Sequence, residues 1–174
     1  MWFMRAAEGY LFGALTPSCI ETLRGVPMLI ESEDERVRAR LLPETYEDHE
    51  SEAHWRAHAA PELERLFVAR TVLVRKDLMA MRQLDFDDSG IVLMIPDSHV
   101  NAWLATLNAA RLALFVLNEM TAAHFERKGL KICTPKQAEA VARIHFLAGM
   151  QEVLLGTVDH GEEEDPQTDA AASE

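Results

Sequence analysis

Two groups of residues in this chain have types and spacing that could do chemistry. The first is "DHESEAHWRAH", which carries His49, His54 and His58 with Glu50 and Glu52 between them. His54 and His58 are four residues apart and so share one helix face, a two-donor geometry that suits a divalent metal. His49 or Glu52 would supply a third donor if the preceding loop folded back. Trp55 stands where the HExxH motif carries its glutamate, so zinc-protease chemistry of that kind is excluded. The plainer reading is a surface helix with two histidines. His99, His124 and His145 stand alone and read as ordinary polar side chains.

The second group lies in "HVNAWLATLNAARLAL", residues 99–114. Helical spacing places Leu104, Asn108, Arg111 and Phe115 on one stripe, with Val100, Trp103, Leu107 and Leu114 beside it. A guanidinium in such surroundings needs a carboxylate or several carbonyls, because burying it alone is very costly. Trp103, Asn108 and Arg111 could therefore line an anion or peptide pocket. Alternatively they form a satisfied structural network that fixes the order of the helices, as most buried polar groups do.

Other chemistries lack their residues. No GxSxG, GxxxxGK or GxGxxG occurs, and neither Cys19 nor Cys133 sits in a catalytic context. No catalytic residue and no cofactor is expected. With no CxxC and two distant cysteines, a reducing cytoplasm is the expected compartment. The sequence shows no secretion signal and no expected membrane span. Arg127, Lys128, Lys131 and Lys136 make one basic cluster, which lacks the interleaved aromatics of a single-strand-binding groove. Met79 and Met81, on one expected helix, read first as core filler and second as adaptable binding surface.

The elements that must position these residues fit one domain over residues 1–158. The 174-residue chain is 48% hydrophobic, enough for a core of its own. Net charge is −12, and residues 159–174 hold seven acids and no Lys or Arg, so an acidic disordered tail is expected there. The remaining body is still net negative, which argues against nucleic acid as a partner. A hairpin is expected from about Trp2 to Leu15, then a helix capped by Thr16 and opened by Pro17, stopping near "RGVP". A short turn of helix around "MLIES" and a polar connector follow. A short helix from Ser51 and a longer one opened by Pro61 lead through "DDSG" to the buried strand "IVLMI". A helix over Ser98–Arg127, capped by Asp97 or Ser98, and one from Thr134 and Pro135 to about Thr157 complete the pattern. Ile144, Leu147, Leu154 and Val158 form the inner stripe of that last helix. The expected fold class is mostly α (α+β): about five helices with a small three-stranded antiparallel sheet.

Several of these stretches together resemble a bacterial family of unknown function, DUF2017. They are "RLLPETY" followed by "HWR", then "AWLATLNAARLAL", and "MQEVLLGTV" near the end. The matching positions are Arg40 to Pro43, Tyr46, Arg56, Trp103, Leu104, Leu107, Asn108, Arg111, Leu112 and Gln151, with residues 103–112 the most specific. Ala109 stands where the family commonly has Asp, and Phe115 where Gly is common. The resemblance implies a short strand pair, a strand leading into the Trp-Leu helix, and a terminal helix. Family members tend to be encoded near the Clp protease adaptor, and some are labelled transcriptional regulators. Taken together, the expectation is a cytoplasmic, non-catalytic regulatory or protein-interaction module with a protein partner, open to homo-oligomer formation. The alternatives are a metal- or small-ligand-binding protein using His54 and His58, or a DNA-binding regulator.

Overall fold

The computed structural model describes residues 1–83, 90–126 and 128–156. The acidic tail, Val158, Arg127 and all of "DDSG" except Gly90 lie outside the described residues. The polypeptide runs β1 (Trp2–Ala6), β2 (Gly9–Leu15), α1 (Pro17–Ile30), α2 (Glu35–Leu41), α3 (His49–Met79), β3 (Arg82–Gln83), β4 (Ile91–Pro96), α4 (Val100–Leu117) and α5 (Pro135–Leu154). Short 3-10 turns at Asp97–His99, Ala122–Phe125 and Gly129–Lys131 complete it.

The sheet order is β1-β2-β4-β3, and every neighbouring pair is antiparallel. It therefore has four strands, not the expected three. The extra strand is the two-residue β3, where Arg82 faces Val92 and Gln83 faces Ile91. Two polar residues give no alternation from which a strand can be read. Phe12 pairs with Leu93, and β2 slips register between Phe12 and Leu15. Ala14 sits in this irregularity with a left-handed φ of 51°, the mark of a bulge. The inward side chains Phe12, Leu93 and Ile95 are fully buried.

Local signals set several helix starts. Thr16 Oγ1 accepts from Cys19 N, and Pro17 opens α1. Thr134 and Gln137 form a reciprocal capping box ahead of α5, with Pro135 at its first position. Two prolines do not act as the expected breaks. Pro27 lies inside α1, which continues to Ile30, and Pro61 lies inside an unbroken 31-residue α3. A proline costs a helix one backbone hydrogen bond and some crowding, but helical residues on both sides can carry the rod through it. The polar connector also differs from expectation, since it contains α2, capped by Asp34, with Val37 buried. Tyr46, in the same segment, is exposed.

The central helix is shorter than expected. Asp97 does not cap it, because its carboxylate is engaged by Arg5 of β1. It ends at Leu117, where Asn118 Nδ2 donates to the Leu114 carbonyl at 2.8 Å and Glu119 turns left-handed. α4 packs against α1, α2, α3 and α5. Ala102, Ala109, Ala110 and Ala113 let those neighbours come close, while Trp103 and Leu107 fill the centre at 0% exposure. The span Asp97–Leu117 is long and apolar enough, by length and composition, to cross a membrane. A core helix surrounded by other helices passes the same test because it is apolar on every side. The main core gathers Phe12, Leu23, Val74, Leu93, Ile95 and Trp103 around it.

Candidate functional site

Asp77, Trp103 and His99 meet where α3 ends and α4 begins. The indole N–H of Trp103 donates to Asp77 Oδ2 at 2.8 Å, and His99 Nδ1 lies 2.9 and 3.0 Å from the two carboxylate oxygens. Asp77 is 6% exposed and Trp103 is fully buried. A carboxylate only accepts, so Nδ1 must carry the proton in this contact. The arrangement orients an imidazole and ties two helices together. Asp77 escaped the sequence reading, and His99, read as an ordinary polar side chain, is instead part of this group. The available signals were the i, i+4 spacing of His99 and Trp103, and a single acid in the basic run 65–79.

Arg111 and Asn108 go elsewhere, so the structure separates the three residues the sequence had grouped. Arg111 Nη1 donates to Gln151 Oε1 of α5 at 2.5 Å, and Gln151 Nε2 donates to the Leu104 carbonyl of α4 at 3.0 Å. Gln151 thus couples the guanidinium to a backbone acceptor two turns upstream. Arg111 Nε is buried and has no hydrogen-bond partner among the described residues. Asn108 is exposed. It sits at the edge of its stripe, roughly 140° around the helix from Trp103 and outside the covered arc.

The histidines separate as well. His54 and His58 have ring centroids 4.5 Å apart with planes tilted by 49°, and with Tyr46, Glu50, Trp55 and Ala59 they line a hollow of about 470 Å³. His49 does not fold back as a third donor. It is the first residue of α3, five positions before His54, which turns it roughly 140° away on the same rod. Among the described residues no three His, Cys, Asp or Glu form a metal-ligating group. Glu52 has other work: it accepts from Thr45 N and Tyr46 N, and from Arg56 Nε at 2.7 Å. Those backbone donors, Thr45 first, hold its carboxyl below the usual range against the opposing effect of burial. Arg56 also donates to the Leu42 carbonyl at 3.0 Å. The "LLPETY" segment is therefore pinned to α3 by residues of "EAHWR".

The outer surface of α3 is the feature sequence reasoning missed most completely. Val68, Val72 and Met79 are 51%, 55% and 81% exposed, and Met28 of α1 is 71% exposed. Met79, read first as core filler, is therefore surface. Positions 68, 72, 75 and 79 follow helical spacing and form one outward stripe. A hollow of about 500 Å³ lies at the Val68 end, lined by Ile30, Leu41, Phe67 and Val68. Another of about 510 Å³ lies at the Met79 end, lined by Arg24, Met28, Arg75, Met79 and Met81. Glu31 of the first hollow and Arg75 of the second form a two-pronged ion pair at 2.6 and 2.7 Å between them. Of the remaining candidates, Cys19 and Cys133 are free thiols, and Lys128, Lys131 and Lys136 are exposed.

Residues 14–158 match the family described as Domain of unknown function (DUF2017), and the chain belongs to it. No curated protein and no solved structure matches.

Proposed function

We propose that this domain is a non-catalytic, regulatory protein-interaction module that docks a partner along the outward stripe of α3. One observation carries the reading: Val68, Val72 and Met79, with Met28 beside Met79, stand exposed along one face of α3 with a hollow at either end. Exposed apolar side chains gathered on one face of a folded chain, rather than scattered singly, mark an interaction site. The polar groups of α4 support it, since Trp103 and Arg111 are engaged with Asp77 and Gln151 inside the fold. Two free thiols suit a reducing, cytoplasmic setting. The test is a photo-crosslinking residue placed at Val72 in cells, with one at the exposed Glu139 as control. A discrete protein adduct at Val72 alone supports the module. Equal labelling at both sites, or none at Val72, refutes it.

A second reading, a two-donor metal site at His54 and His58, is favoured by their 4.5 Å ring separation. Copper or zinc titration of untagged protein would show binding that His58→Ala removes; identical titrations of both proteins would exclude it.

A further inference from the structure

The stripe on α3 also carries information about what covers it. Between Val68 and Met79 it spans about three helical turns, on the order of 16 Å, the footprint of one short partner helix. Its borders are cationic although the chain as a whole is strongly acidic. Residues 65–79 contain Arg65, Arg70, Arg75 and Lys76, and their single acid, Asp77, is turned inward onto Trp103 and His99. Three carboxylates bordering the stripe are already engaged: Glu31 by Arg75, Glu62 by Arg65 and Glu64 by Arg38. Arg24 and Lys76 form no ion pair with a described carboxylate. Of the unpaired acids, Glu33 lines the hollow at the Val68 end and Glu21 lies two turns of α1 before Met28. Among the described residues the Met79 end, with Arg24 and Lys76 unpaired and no carboxylate lining its hollow, is therefore the most positive part of the seam. Exposed methionines at that end offer flexible, polarizable contact surface that adapts to the side chains it meets.

We propose that the Val68–Val72–Met79 stripe, with Met28 beside it, receives an acidic amphipathic helix of a partner protein. Apolar side chains of that helix enter the two hollows, and its carboxylates meet Arg24 and Lys76. The proposal rests on the interaction reading above and adds the partner's chemistry. Charge complementarity of this kind sets which partner is accepted and how fast it docks, more than raw affinity.

The experiment uses the full chain and two synthetic fifteen-residue helical peptides. Both carry Leu at i, i+4, i+7 and i+11, one with Glu and the other with Lys at the flanking positions. Binding is followed by fluorescence anisotropy and by the methionine methyl signals of the protein. The expected result is that the Glu peptide binds, its affinity falls with salt, and the signals of Met28 and Met79 shift. Val72→Glu and Lys76→Glu should each weaken it about tenfold or more while the thermal melt is kept. If the Lys peptide binds the stripe in preference, the acidic-partner inference fails and the docking surface stands. If neither peptide responds to Val72→Glu, both fail. A dimer in sedimentation that Val72→Glu dissolves would assign the stripe to a second copy of the chain and overturn the proposal.

Discussion

Asp77 accepts the indole proton of Trp103 at 2.8 Å inside the core, twenty-six residues away in sequence. This contact joins the last turn of the longest helix to the first turn of the most buried one. Asp77→Ala should cost about 3 kcal/mol, because it leaves a fully buried donor without an acceptor. Asp77→Asn keeps an acceptor for the indole and should cost about 1 kcal/mol. Urea unfolding read by tryptophan fluorescence separates the two, and equal costs would disprove the role assigned to the carbonyl oxygen.

Arg111 and Gln151 should behave as one unit. Gln151→Ala alone removes the acceptor of Arg111 Nη1 and the donor to the Leu104 carbonyl, and about 2 kcal/mol is expected. The double replacement Arg111→Met with Gln151→Leu should cost less than the two single changes added, since no partner is then stranded. A double-mutant cycle in urea measures the difference; strict additivity would mean that the two side chains are independent.

Acid should loosen the start of α2. Hydrogen bonds from the Arg36 side chain, then from its backbone N–H, hold the Asp34 carboxyl down at about 2. Unfolded, the same group titrates near 4. Between those values the unfolded chain binds more protons than the folded one, so stability falls as pH drops through the window from about 4 to about 2. Asp97, beside Arg5, and Glu52 are displaced in the same direction and add to the effect. Asp34→Asn keeps a cap but cannot titrate. Its urea midpoint should decline less steeply over that pH range than that of the unsubstituted protein.

Pro61 can be improved upon. It is exposed, inside α3, and withholds the N–H that Ala57 would otherwise receive. Pro61→Ala should raise stability by about 1–2 kcal/mol, checked by thermal unfolding. A loss instead would show that α3 needs the local distortion that proline introduces.

What the sequence disclosed was whatever depends on near neighbours. Thr16 with Pro17, and Thr134 with Pro135, are helix starts whose chemistry lies within four residues, and both stand as read. The "IVLMI" strand and the hairpin were legible from composition and turn spacing. Pro27 and Pro61 misled because the same residue that opens a helix can also be carried within one. The link from Asp77 to His99 and Trp103 was hidden because it depends on how α3 meets α4, which no local pattern encodes. Asn108 was misplaced by a small angular error: helical spacing put it beside Arg111, but the covered arc stops short of it. The exposed stripe on α3 reads in sequence like any half-buried helix. Only the packing of α1 and α4 against it shows that Val68, Val72 and Met79 have been left uncovered.

The pairing of Phe12 with Leu93 has a consequence for synthesis. The hairpin leaves the ribosome ahead of β4, the strand that covers its inner edge, which emerges about 80 residues later, and an isolated pair of strands is marginal in water. Until β4 arrives, the nascent chain must hold Phe12 and the free edge of β2 without their final partner. That interval, roughly 4–16 s at ordinary translation speeds, is when a chaperone would have most to protect.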